Sequence, residues 1–156
     1  FNDRRYADDD LTIGSIDPYQ VFRIFHEIGF FEWEAGGPAD VAFVIDQSHN
    51  LKGKIEAMIQ TVVMAQALYA KAALVDYPRL AAAQRPNDLV AAQSCLQDAF
   101  ATDVRPAIAS WRASKSLPVD PLEAFRESGY LARITTERQA RASTQPGASL
   151  GASEYA

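Results

Sequence analysis

Cysteine is almost missing from this sequence: Cys95 stands alone among 156 residues. An intrachain disulfide is thereby excluded, and the expected setting is a reducing one, the cytoplasm. Basic residues are outnumbered too, 15 Lys and Arg against 20 Asp and Glu for a formal charge of −5, and they form no stripe. A nucleic acid is therefore not an expected partner. No apolar run comes near the ~20 residues that span a bilayer. The most apolar segment, 55–75, is interrupted by Glu56, Gln60, Gln66 and Lys71, so no membrane partner is expected either. The chain opens FNDRRY and stays polar from Asn2 to Asp10, which is unlike a secretory leader.

Strand signal is equally scarce. The one clear instance is Val41–Ile45 within VAFVIDQSHN, an apolar run that reads as a short strand buried on both faces and closed by Asp46. A lone strand has no partner for its own N–H and C=O groups, and buried backbone left unpaired costs free energy. Its neighbours are therefore expected on polypeptide outside this chain.

What is present is mostly helical pattern, with 48% hydrophobic and 22% charged residues, an ordinary globular balance. Asp17 reads as an N-cap and Pro18 as the first helical residue. Val21, Phe22, Ile24, Phe25 and Ile28 then recur on one helical face, and Gly29 reads as the stop. An alanine-rich helix over about 54–75 carries Ile55, Met58, Ile59, Val62 and Tyr69 on one stripe. Val63, Ala67, Ala70 and Leu74 form a second stripe, so cover is expected on both sides. Helix, loop, strand and helix in this order are one step of an α/β fold. From Tyr77 short helical pieces are punctuated by proline, with Asp120–Pro121 repeating the cap signal. The expected division is 1–76 as the α/β part, 77–141 as an all-helical extension and 142–156 as a flexible tail.

Chemistry is sought among the acids. Asp8, Asp9 and Asp10 are consecutive, and adjacent carboxylates in water repel by ~1 kcal/mol per pair. Either the loop is fully solvated or a cation neutralises it. In an extended stretch Asp8 and Asp10 point to the same side and can grip one hard divalent ion. Asp46, at the end of an apolar run, either serves a site or makes an Asx turn or helix cap. His49 is a loop histidine without a visible partner, and His26 lies inside an amphipathic helix beside Phe25. Phe30, Phe31 and Trp33 can floor a sugar site or pack between elements. Cys95, beside Leu96 and Phe100 with no His/Asp constellation, reads as a core thiol.

Taken together, FNDRRYADDDLTIGSIDPY and VAFVIDQSHNLKGKIEAMIQT resemble bacterial L-rhamnose isomerase, over Phe1 to at least Val75. The resemblance implies the C-terminal part of a (β/α)8 barrel similar to xylose isomerase, with an all-helical C-terminal extension. It also implies a metal-dependent aldose–ketose isomerase. By position, Asp8 and Asp10 match the loop pair that holds the catalytic metal. Asp46 matches a ligand of the structural metal close to the substrate, where it can relay a proton. The implied cofactors are two divalent metal ions, Mn²⁺ by family, with Mg²⁺, Co²⁺ or Zn²⁺ also compatible. The implied partners are a small sugar substrate, the remaining N-terminal part of the barrel, and further copies in a homotetramer. A complete barrel needs about 250 residues, so the other ligands are expected upstream of Phe1. Two readings compete: a metal-dependent barrel hydrolase of the endonuclease-IV type, disfavoured by the acidic charge, and a non-catalytic helical interaction module.

Overall fold

The computed structural model describes residue 3, residues 10–47 and residues 53–144. Among these lie seven helices: α1 (Pro18–Ala35), α2 (Lys54–Ala72), α3 (Tyr77–Gln84), α4 (Leu89–Ala101), α5 (Arg105–Ser114), α6 (Pro121–Glu127) and α7 (Tyr130–Thr144). Aspartate starts four of them. Asp17, Asp76, Asp88 and Asp120 each accept a backbone N–H from the first turn, satisfying donors that have no partner inside the helix.

The α/β expectation is overturned. No strand or sheet forms among the described residues, whose one β-type contact is an isolated antiparallel bridge between Asp3 and Leu11. The C-terminal barrel fragment expected from the sequence is therefore not seen. Residues 39–47 join α1 to α2 as an irregular segment in which Val41, Phe43 and Val44 are exposed. An apolar, β-branched run is compatible with a strand, but a strand exists only where a neighbour supplies backbone partners. No strand ladder forms around it among the described residues. Glu32 Oε1 accepts the Ala39 N–H at 2.9 Å, and the Phe43 ring meets Phe25 edge-on at 5.2 Å.

Helix α1 runs past the expected stop. Gly29 lies inside it, and the helix ends at Gly36, whose φ of 69° is the left-handed cap conformation. The need for glycine at position 29 is spatial. A Cβ there would stand 2.1 Å from the Tyr77 hydroxyl, which donates to the Ala72 carbonyl at 3.1 Å. Phe30 and Trp33 thus belong to the helix; the Trp33 ring stacks on Tyr77 and the Phe30 ring meets it edge-on.

Helix α2 is the hub, meeting α1, α4, α5 and α6. Its buried face is not the expected stripe of large side chains but Ala57, Thr61, Leu68 and Ala72. Three of these four are small, while Ile55, Met58, Val62, Val63 and Tyr69 stay over a third exposed. The core joins Ile13, Val21, Phe22 and Phe25 to Leu68, Ala72, Val75, Leu80, Cys95 and Ala99. Among the described residues no single helix is long and apolar enough to cross a membrane. Of the expected tail, 142–156, residues 142–144 belong to α7; the remainder, with Asp8, Asp9, Ser48 and His49, lies outside the described residues.

Candidate functional site

Two segments carry the acids singled out above, and both converge on α2. The first is the turn that follows Asp10. Asp3 and Leu11 exchange two backbone hydrogen bonds, and the Asp3 carboxylate accepts the N–H groups of Ile16 (2.8 Å) and Asp17 (3.3 Å). Residues 11–17 are thereby closed into a compact loop against the start of α1. Asp10 enters this loop with φ of 39°, a conformation that L side chains adopt at a cost and that clusters at functional positions. Gly14 takes φ of 74°, and a Cβ there would meet Met64 Cγ at 2.6 Å, so the loop sits directly on α2.

The second segment ends in Asp46 and Gln47. Thr61, fully buried at the middle of α2, ties the two together: its hydroxyl oxygen accepts the Ile13 N–H at 3.3 Å, and its hydroxyl donates to Gln47 Oε1. One threonine thus fixes a residue three positions after Asp10 and the residue next to Asp46. Gln47 Nε2 is buried with no hydrogen-bond partner among the described residues, a donor available to an oxygen-rich ligand.

Among the described residues no group of three His, Cys, Asp or Glu side chains stands together as a metal cluster. Asp10 and Asp46 are described; Asp8 is not, and the geometry of the Asp8/Asp10 pair falls outside the described residues. Sequence reasoning missed Thr61 and Gln47. A threonine in the centre of an alanine-rich helix was the available signal, since a hydroxyl buried there needs partners from elsewhere in the chain.

The other candidates resolve as packing. His26 is buried between the Phe22 and Tyr77 rings, with Nε2 3.4 Å from Glu27; burial holds its pKa below the usual value. Burial pushes the Tyr77 hydroxyl up to about 12, with Glu32 adding to the shift. Cys95 is buried, its thiol donating to the Asp76 carbonyl at 3.4 Å, and burial raises its pKa, as befits a core thiol rather than a nucleophile.

No known family profile matches the chain. It is 42% identical, over 140 residues and 90% of its length, to a protein of Rhizobium meliloti (strain 1021) named a probable sugar isomerase. It is 41% identical over the same length to a likewise named protein of Mesorhizobium japonicum (strain LMG 29417 / CECT 9101 / MAFF 303099). The matched region is 33% of each, so the chain spans about a third of the length of the curated relatives it matches.

Proposed function

We propose that this chain is part of a metal-dependent aldose–ketose isomerase that acts on L-rhamnose and related sugars. The observation that carries the reading is the likeness, at 41–42% identity across nine-tenths of the chain, to two proteins named as sugar isomerases. The placement of the acids supports it. Asp10 and Asp46 lie on separate segments that Thr61 joins, and carboxylate oxygens suit hard divalent ions.

In this reading Asp8, Asp10 and Asp46 hold divalent cations, Mn²⁺ in the first instance. A cation bound there polarises the oxygens at C1 and C2 of the sugar. Asp46 accepts or returns a proton at a sugar hydroxyl, and Gln47 Nε2 donates to an oxygen beside it. Thr61 positions both acid-bearing segments and excludes water from behind them. The enzyme works in the cytoplasm as a homotetramer.

Asp10→Asn and Asp46→Asn test this in the whole protein. Each is expected to lower the bound Mn²⁺ measured by mass spectrometry and to cut rhamnulose formation by at least about 100-fold, the scale set by losing a metal-ordering group. Unchanged metal content with an unchanged rate rejects the assignment. A protein that never isomerises L-rhamnose or a related aldose rejects the reading altogether. It would favour the helical interaction module, which the exposed apolar side chains of α2 and residues 41–44 fit.

A further inference from the structure

Arg112 is the one charged side chain of α5 that is buried, at 7% exposure. Three exposed arginines have acids: Arg79 pairs with Asp98, Arg105 with Asp103 and Arg126 with Glu56. Arg112 has none among the described residues. Its Nη2 donates to Gln66 Oε1 and its Nη1 to the Pro118 carbonyl at 3.5 Å, and both acceptors are neutral. A guanidinium taken out of water without an opposite charge is costly, and the rest of its donor fork is shaped for a carboxylate.

Beside it opens a cleft of about 670 Å³ between α2, α5 and the turn into α6. That volume lies in the usual range for small-molecule sites. Val63, Met64, Ile108 and Leu122 line it with hydrocarbon. Two further charges stand on its wall. Arg105 is held by Asp103 in a two-bond fork, each bond 2.8 Å long. Asp120 is engaged through Oδ1 by the N–H groups of Leu122 and Glu123. The unanswered charge is therefore that of Arg112. Asp120 on the wall disfavours a multiply charged guest, and the apolar lining favours one with a hydrocarbon body.

We propose that this cleft is a binding site for a small organic monocarboxylate, its carboxylate paired with Arg112 and its hydrocarbon part against Val63, Met64, Ile108 and Leu122. The cleft shares Ile13 and Gly14 with the loop that Thr61 fixes, and the pairing with Arg112 requires neither Asp10 nor Asp46.

Benzoate is the probe and benzamide its neutral counterpart, titrated calorimetrically into the whole protein. Benzoate is expected to bind, and benzamide to bind at least about ten-fold more weakly, the equivalent of one charge-assisted pair. Arg112→Gln is expected to abolish the preference. Ile108→Trp, which fills the cleft and leaves Arg112 in place, is expected to abolish binding of both. Circular dichroism melts establish that each variant is folded. Absence of benzoate binding to the wild type overturns the proposal, as does equal binding of benzamide. If Arg112→Gln fails to fold, benzoate binding retained by Ile108→Trp overturns it on its own.

Discussion

Helices α1–α4 and helices α5–α7 are built from the same local signals but are held in place by different forces. The first four enclose Phe22, Leu80, Leu68 and Phe25 at 4% exposure or less. In the last three the only buried side chain among those described is Arg112. Capping aspartates and prolines start helices in both regions, so secondary structure does not separate them. Tertiary packing does. One region rests on aromatic and aliphatic burial around α2; the other is attached to α2 by polar ties, Arg112 to Gln66 and Arg126 to Glu56.

The contrast breaks most readily at the α1–α3 crossing. Gly29→Ala places a methyl where the Tyr77 hydroxyl now sits, and Tyr77 is anchored by its bond to the Ala72 carbonyl and by the Phe30 and Trp33 rings. Overpacking of this kind costs about 1–3 kcal/mol. Urea unfolding is expected to show a loss at the upper end of that range. An unchanged midpoint would mean that Tyr77 withdraws freely and that this seam is no tighter than the periphery.

That glycine also marks where sequence reading stops. Asp17–Pro18 and Asp120–Pro121 announced their helices because a cap is a local event, complete within four residues. Gly29 carried the same local signature as a helix end, and only Tyr77, far along the chain, decides otherwise. The buried face of α2 departs from its apolar periodicity for a related reason. Large apolar residues outline a stripe, yet three of the four residues that α2 buries, Ala57, Thr61 and Ala72, are small, and small side chains leave little trace in periodicity. Val41–Ile45 has the composition of a strand, whereas strand pairing is a property of two segments. At the candidate site Asp10 and Asp46 were singled out as acids in telling places. The hydroxyl of Thr61 that links their segments was not foreseeable, because a contact 48 residues apart has no pattern in the chain.

Acid sharpens the comparison next. His26 lies in the α1–α4 core, and burial depresses its pKa below 6.5 against a smaller opposing pull from Glu27. The folded state therefore rejects a proton that the unfolded chain takes up. Stability is full above about pH 6.5 and falls as pH drops from there through the lower folded value. Helices α5–α7 contain no histidine. Denaturant midpoints measured at falling pH should decline, and His26→Phe should flatten the decline that His26 causes. Parallel curves for the two proteins would show that protonation of His26 is not what loosens this region.

The smallest effect is expected where the periphery is tied by charge. Arg126 Nε lies 2.6 Å from Glu56 Oε1, but the two side chains are 60% and 27% exposed. Water screens such a pair, and ordering two long side chains offsets much of the attraction, leaving about 0.2–1 kcal/mol. A double-mutant cycle with Arg126→Ala and Glu56→Ala should return a coupling in that range at low salt. It should fade toward zero at ~1 M salt, where charges are screened within ~3 Å. A coupling above about 2 kcal/mol that survives salt would require a pair far better shielded than this one. In that event α6 would be fastened as firmly by its ion pair as α1 is by Phe22. The distinction between a packed half and a tethered half would then have to be drawn on some ground other than burial.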